Sequence, residues 1–179
     1  MPLNSIPEAK IATVVFGFTS ETRLPPGFGY LIPECEKRFT LGSLFSSNMF
    51  PGRAPENHIL FETLVGGRRH PEKLELDDPT LISKAYDDVR TILKIREEPV
   101  FTEVLRPRSG IPQLERGYPA LLNWRSTVQS SLAGLYICGF GWEGIGINDM
   151  IKHGSRVGEA ILARDSVAET AAEVKGIYF

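Results

Sequence analysis

The chain has 179 residues, of which 42% are hydrophobic and 23% charged, and its formal net charge at pH 7 is −2. That length suffices for one domain with a real core or for two small lobes. A charge so close to zero predicts neither nucleic acid nor an anionic membrane as partner. No apolar run approaches the roughly 20 residues of a membrane span, and the start, MPLNSIPEAK, lacks the apolar core of a signal peptide. We therefore expect a cytoplasmic globular protein.

The first half of the chain predicts a sheet of antiparallel strands. Four segments rich in β-branched and aromatic residues are separated by turns that contain glycine and proline. Because the connections are short, consecutive strands are expected to pair as antiparallel neighbours. The predicted strands are Ile11–Phe18, Gly27–Ile32, Leu41–Ser46 and His58–Val65.

The second half is predicted to contain three helices. Asp78 is the predicted N-cap of the first, with Pro79 at the first helical position and an apolar stripe that ends before Pro99. The last helix has Gly154 and Gly158 on its apolar side; each costs about 1 kcal/mol relative to alanine, which suggests that another group passes close to the helix backbone. The other predicted elements are the strand Val100–Leu105, the helix Pro119–Gln129, a short buried strand Leu135–Cys138 and the last helix itself, from about Ile147 to about Arg164.

The sequence offers few groups that carry chemistry by themselves. Cys35 and Cys138 form no metal-binding or disulfide pattern, and their apolar neighbours indicate buried, reduced thiols. No Ser-His-Asp set, metal-spaced cluster or lysine-containing phosphate loop is evident. Any redox chemistry is therefore expected to come from a bound cofactor, with the protein supplying position and surroundings.

Residues 139–144, GFGWEG, have the G-x-G-x-x-G spacing of a dinucleotide-binding turn. A true turn of that kind lies in a strand–helix–strand unit whose second strand ends in an acidic residue about 20 residues further on. Here the following helix leads to VAETAAEVKGIYF, which predicts no such strand. The sequence therefore does not support a pyrophosphate site at GFGWEG.

A second set of glycines overlaps this motif in Gly144–Asp149, GIGIND. Asn148 or Asp149 is suited to cap the last helix, whose first N–H groups and positive dipole end would then face the two glycines. That end suits an anion or an electron-rich ring oxygen, and small residues let a flat ligand lie against the backbone. A tight strand-to-helix turn without any ligand explains the same residues equally well.

Residues 135–154, LYICGFGWEGIGINDMIKHG, resemble the C-terminal flavin-contact segment of the protoporphyrinogen oxidase family, within the flavin amine oxidase superfamily. Two positions depart from that family: Phe140 stands where members often have asparagine, and Pro119 where many have an aromatic residue. Four further stretches match family motifs in the same order, namely GFGYLIP (27–33), LGSLFSSNMFP (41–51), LFETLVGG (60–67) and IPQLERGY (111–118).

The resemblance implies an α+β fold, with a mixed, largely antiparallel sheet, flanking helices and the C-terminal strand–turn–helix of an FAD-binding domain. It assigns 1–110 to a substrate-domain-like sheet and helix, 111–165 to the FAD-binding domain and 166–179 to a tail. Family enzymes are more than twice as long and hold the ADP half of FAD on a Rossmann turn near their N-terminus. We therefore expect this chain to be a C-terminal part, with the N-terminal Rossmann half as its partner, and to be inactive and unable to retain FAD alone.

The resemblance also implies binding residues, while no catalytic side chain is assigned because the flavin takes the hydride. Phe28 and Leu31 could instead be ordinary core residues of a strand. The basic segment Arg68–His70 could bind the propionates of the substrate or form a solvated loop. The implied flavin contacts are Gly144, Ile145, Gly146, Ile147 and Asn148, and the implied tetrapyrrole contacts are Phe28, Gly29, Leu31 and Leu44.

The implied function is the FAD-dependent oxidation of a porphyrinogen to a porphyrin in haem biosynthesis, with oxygen or another electron acceptor. Protoporphyrinogen and coproporphyrinogen both remain open as substrate. The alternatives are another flavin amine oxidase relative, such as a desaturase, and a non-catalytic module that binds a tetrapyrrole or a partner chain. Self-association, and peripheral membrane attachment of the full-length enzyme, are further expectations.

Overall fold

The structure, a computed structural model, describes residues 6–142 and 144–163. The chain forms two compact units, one made of Ala9–Gly110 and the other of the segments Met1–Glu8 and Ile111–Phe179. The predicted tail, 166–179, lies outside the described residues. The assignment of the two units to a substrate domain and an FAD-binding domain stays a prediction.

A five-stranded sheet forms the framework of the first unit, and every pair of neighbours in it is antiparallel, as the sequence predicted. The first predicted strand, Ile11–Phe18, pairs with the fourth and not with the second, so the expected pairing of consecutive strands was wrong there. The strands are β1 (Glu8–Ala9), β2 (Ile11–Thr19), β3 (Gly29–Leu31), β4 (Gly42–Leu44), β5 (His58–Gly66), β6 (Phe101–Leu105) and β7 (Ile111–Pro112). The spatial order in the five-stranded sheet is β3-β4-β5-β2-β6, and β1 and β7 form a separate two-stranded sheet.

The hydrophobic core lies between one face of this sheet and helix α2 (Asp78–Leu93). Phe16 on β2 is paired with Phe61 on β5, and their ring centroids are 5.7 Å apart. Phe18 stacks on Phe61 at 5.5 Å, and both side chains are fully buried. Leu81, Ala85 and Val89 of α2 complete this core. Burial of each large apolar side chain contributes about 1.5–3 kcal/mol, so this layer dominates the stability of the unit.

Helix α2 begins one residue earlier than the sequence predicted. Asp77 is the N-cap: its backbone is extended, and its carboxylate accepts the N–H of Thr80 at 3.0 Å. Asp78 is therefore already helical, and it accepts hydrogen bonds from the guanidinium of Arg106 instead. A cap must have non-helical backbone angles and reach the N–H two or three positions ahead, which Asp77 does.

The second unit contains helices α3 (Tyr118–Ser131) and α4 (Ile147–Ala163), while the short helix α1 (Ser46–Met49) belongs to the first. The predicted strand Leu135–Cys138 is irregular: no described strand pairs with it, and the N–H of Ile137 donates to the side chain of Gln129 at 2.6 Å. Cys138 is exposed, as is Cys35, so the prediction of buried thiols was wrong. An apolar run predicts burial only where a neighbouring element covers it.

Strands β3 and β4 approach each other unusually closely at two glycines. Gly29 lies opposite Leu44, and Gly42 lies opposite Leu31. Both glycines have positive φ, +142° and +150°. A Cβ on Gly42 would lie 2.2 Å from the carbonyl oxygen of Tyr30, and one on Gly29 would lie 2.0 Å from that of Ser43. The close approach of the two strands therefore requires glycine at Gly29 of GFGYLIP and at Gly42 of LGSLFSSNMFP, whether or not a ligand binds there.

We expect Gly42→Ala to lower the free energy of unfolding by at least about 1–3 kcal/mol, the usual cost of a residue forced into a rare backbone conformation, because a steric clash adds to that strain. Urea unfolding followed by circular dichroism measures the change. Gly52→Ala is the matched control, since Gly52 also has a positive φ, +80°, but nothing lies within 4 Å of its added Cβ. Equal losses in the two variants would contradict the clash.

Candidate functional site

The sheet has a second face, opposite α2, that carries a band of apolar side chains, and we call it the open face. Successive side chains of a strand point to opposite faces, so the register determines its members. Val15 lies between Glu62 on one side and Glu103 on the other. The large apolar and the acidic side chains of the open face are Val15, Leu31, Leu44, Leu60, Glu62, Leu64, Phe101, Glu103 and Leu105; Thr13, opposite Leu64 and Leu105, lies on it as well.

The residues that the resemblance assigns to the tetrapyrrole lie on or beside this face. Leu31 and Leu44, 78% and 37% exposed, belong to the open face, and Gly29 is paired with Leu44. Phe28, which is 75% exposed, directly precedes β3. The alternative that Phe28 and Leu31 are core residues is therefore wrong. Their role in binding a substrate stays a prediction.

Sequence reasoning missed several members of the open face. Leu60 and Leu64 are half-buried, whereas Phe101 and Leu105 are each 50% exposed. Strict alternation along β5 and β6 was the available signal, but alternation alone does not say which of the two faces α2 covers. Large apolar side chains left exposed together on one face are a typical mark of a binding surface.

In the second unit, the GFGWEG segment forms a tight turn. The N–H of Gly141 donates to the carbonyl oxygen of Gly144 at 3.0 Å, which closes the turn. Gly141 has a φ of +87°, a region that disfavours other residues. A Cβ added to it would lie 3.2 Å from the ring of Pro112, so Pro112 of the IPQ motif packs against this turn.

Helix α3 fixes the same turn from two positions. The hydroxyl of Tyr118 donates to the carbonyl oxygens of Gly141 and Trp142. The guanidinium carbon of Arg125 lies 5.5 Å from the centroid of the Trp142 ring, within the range of a cation–π contact. Two motifs that are separated in sequence, IPQLERGY and GFGWEG, thus meet in one place.

The start of α4 is defined by Asp149. Its carboxylate accepts the N–H of Gly146 at 3.2 Å, and its own N–H donates to the carbonyl oxygen of Gly146 at 3.1 Å. A Cβ on Gly144 would lie 2.4 Å from the same carboxylate. Both predicted capping residues lie inside α4, so neither is its N-cap: Asp149 reaches back from the first turn to Gly146, while Asn148 is exposed. The negative carboxylate complements the positive end of the helix dipole.

The residues implied as flavin contacts form a partly open surface around this helix start. Ile145 and Ile147 are 46% and 71% exposed, and Asn148 is also exposed. Gly144 and Gly146 are half-buried. Two exposed isoleucines beside two glycines offer a small apolar surface with accessible backbone, which suits one face of a flat ring. Contact with a flavin stays a prediction.

The basic segment after β5 is engaged by carboxylates of its own unit. His70 contacts Glu34 through Nε2 at 2.8 Å and Glu72 through Nδ1 at 3.2 Å. Arg69 reaches Glu34 at 4.0 Å. The hydrogen bond from His70 lowers the pKa of Glu34. These contacts favour a structural role of the segment over the capture of substrate propionates.

Two kinds of feature are absent from residues 6–142 and 144–163. No three His, Cys, Asp or Glu side chains come together there in a way that would hold a metal ion. No helix in this part of the chain has the length and apolar character needed to cross a bilayer.

We expect Tyr118→Phe to loosen the GFGWEG turn, because the variant leaves two carbonyl groups without their donor, at a cost of about 0.5–1.5 kcal/mol. Hydrogen–deuterium exchange of the peptide that spans 139–146 should become faster. Tyr136→Phe is the control, since no hydrogen bond joins the Tyr136 hydroxyl to the described residues. Unchanged exchange in Tyr118→Phe would show that the hydroxyl does not hold the turn.

Comparison with known proteins supports what the motifs indicated. Residues 4–162 match the family model of flavin containing amine oxidoreductases. The mitochondrial protoporphyrinogen oxidase of Nicotiana tabacum is 30% identical over 169 residues, which covers 90% of this chain and 34% of that protein. The coproporphyrinogen III oxidase of Bacillus subtilis (strain 168) is 26% identical over 155 residues, covering 85% of this chain and 33% of that protein. A solved structure, a putative protoporphyrinogen oxidase from Exiguobacterium sp. 255-15, has a TM-score of 0.76 at 20% identity and covers 91% of this chain and 36% of that one.

These matches differ in what they establish. The chain spans about a third of the length of the curated relatives. The likeness to the solved structure shows the fold alone and confirms the α+β prediction. The family model covers most of the chain, which confirms the resemblance inferred from the five motifs. The chain belongs to the family of flavin containing amine oxidoreductases.

Proposed function

We propose that this chain is the C-terminal part of an FAD-dependent porphyrinogen oxidase, which converts a porphyrinogen to a porphyrin. The observation that carries the proposal is the open face, where Leu31 and Leu44 of two neighbouring strands are exposed together. A large macrocycle is held mainly by the burial of its apolar area, and such a surface provides it. The relatives named protoporphyrinogen oxidase and coproporphyrinogen III oxidase support this substrate class.

The flavin contact is proposed at the start of α4. Gly144 and Gly146 would let the isoalloxazine ring approach the backbone, and the exposed side chains of Ile145 and Ile147 would cover part of it. Asn148, exposed in the first turn of the helix, would contribute a polar contact. Bound FAD would supply the acceptor for the hydride, so the residues of this chain position the ring and exclude water.

The remaining contacts to FAD would come from outside this sequence. In enzymes of the family that the motifs resemble, a Rossmann turn holds the ADP half, and this chain spans about a third of the length of its curated relatives. At the start of α4 the helix end contributes about 0.3–1 kcal/mol to binding at an exposed site. Part of that field already acts on Asp149, whose carboxylate accepts the Gly146 N–H. Association itself costs at least about 4 kcal/mol, so binding of FAD to this chain alone would be weak.

We expect the 179-residue chain to fold, to purify without colour and not to oxidise porphyrinogen. The absorption spectrum of the purified protein shows whether flavin is bound. Porphyrin formation after air is admitted to an anaerobic mixture of the chain and porphyrinogen, compared with the same mixture without protein, shows whether the chain oxidises porphyrinogen. The complete enzyme, meaning this chain joined to the region that holds the ADP half, is the positive control. A stoichiometric flavin spectrum or turnover by the chain alone would contradict the proposal that it is a part.

Two variants of the complete enzyme separate the proposed cofactor and substrate contacts. Gly146→Leu should lower the flavin content, because its side chain would occupy the space of the ring, whereas Leu31→Ala should leave the flavin content normal. Leu31→Ala should raise the KM for porphyrinogen severalfold, since truncating an exposed leucine removes about 1.5–3 kcal/mol of apolar burial at most. Flavin content is measured by absorbance after purification, and KM by porphyrin fluorescence. A normal flavin content in Gly146→Leu would refute the flavin contact at Gly146. An unchanged KM in Leu31→Ala would refute the substrate contact at Leu31.

A further inference from the structure

Glu62 places a carboxylate in the middle of the apolar open face. In the register of the sheet it lies opposite Leu44 on β4 and opposite Val15 on β2. Leu60 and Leu64 are its neighbours on the same face of its own strand. A charged side chain at the centre of four apolar ones is unusual, because burial of that surface would remove the carboxylate from water.

The carboxylate is held in place by one contact. The hydroxyl of Ser46, the buried first residue of α1, donates to Oε1 of Glu62 at 2.9 Å. Within residues 6–142 and 144–163, no lysine, arginine or histidine lies within ion-pair distance of Glu62, and no donor reaches Oε2. Glu62 is half-buried, so part of its side chain stays accessible to solvent.

A flat ligand that covers the open face shields the Glu62 carboxylate from solvent. A carboxylate without a compensating donor in an apolar setting is costly, whereas a charge-assisted hydrogen bond from the ligand offsets that cost. A carboxylate at this position would therefore favour, among ligands of similar shape, those that direct an N–H group at the face. Leu44, Leu60 and Leu64 contribute apolar contact to either kind of ligand and do not discriminate.

The two macrocycles of the proposed reaction differ in this property. In a porphyrinogen, saturated carbons join the pyrrole rings, so the rings tilt and their N–H groups can point out of the mean plane. A porphyrin is conjugated and flat, and its inner N–H groups lie in the ring plane and point to the centre. A carboxylate on the open face can therefore accept a hydrogen bond from a porphyrinogen but not from a flat porphyrin.

We propose that Glu62 is a specificity-determining residue that accepts a pyrrole N–H from a porphyrinogen on the open face and disfavours the flat porphyrin. Ser46 is a positioning residue, because it fixes Oε1 and leaves Oε2 for the ligand. The inference rests on the proposed function, since it takes the open face as the surface for the tetrapyrrole.

The test is the relative affinity of the 179-residue chain for protoporphyrinogen IX and protoporphyrin IX under anaerobic conditions. Porphyrin binding is followed by its absorption band, and porphyrinogen binding by competition with it. The wild type should prefer the porphyrinogen, and Glu62→Leu should lower the ratio of the two affinities by at least about tenfold, the factor expected for loss of a hydrogen bond to a charged group. Glu62→Gln, which keeps the shape, should shift the ratio in the same direction by a smaller factor.

Glu56→Leu is the matched control. Glu56 is an exposed carboxylate in the turn before β5 and lies outside the open face. Its removal should leave the ratio unchanged. An unchanged ratio in both Glu62 variants, or an equal change in Glu56→Leu, would overturn the inference while leaving the proposed function intact. Failure of the wild type to bind either macrocycle would instead count against the proposed function itself, and the inference would fall with it.

Discussion

The antiparallel pairing of β2 with β5 is the constraint on which the remaining structure depends. Its register runs from Ile11 opposite Gly66 to Thr19 opposite His58. Once Phe16 is paired with Phe61 toward α2, alternation directs Val15 and Glu62 to the other face. A shift of the register by one residue would exchange the two faces, burying Glu62 in the core and exposing the aromatic rings. The aromatic core therefore fixes the composition of the open face as well as the stability of the unit.

Much of the first unit was predictable because its signals are local. The β-branched run Ile11–Phe18 and the apolar stripe of α2 each report burial on one side, and both elements lie where the pattern indicated. The N-cap is Asp77 and not Asp78, because two adjacent aspartates satisfy the same sequence preference and only the backbone angles distinguish them. The sequence did not decide whether Leu31 was a core residue or an exposed one, since the period of a strand does not identify the covered face.

The second unit was harder to predict because its signals are not local. The apolar run Leu135–Cys138 resembles a buried strand, yet a strand needs a partner, and none among the described residues pairs with it. The contact of Tyr118 with Gly141 joins positions 23 residues apart, and nothing in either segment alone indicates it.

Motif glycines raise a related difficulty. Gly29, Gly42 and Gly144 each stand where a Cβ would collide with the chain itself, so their presence in family motifs does not by itself demonstrate a ligand.

The exposure of both cysteines has a practical consequence. Cys35 lies in the unit formed by Ala9–Gly110, and Cys138 lies in the other unit. The sequence contains two cysteines in total. Thiol-reactive dyes or spin labels would therefore attach once to each unit without any engineered residue. The native protein thus carries one labelling site in each unit, which suits energy-transfer or electron spin resonance experiments that need two defined labels.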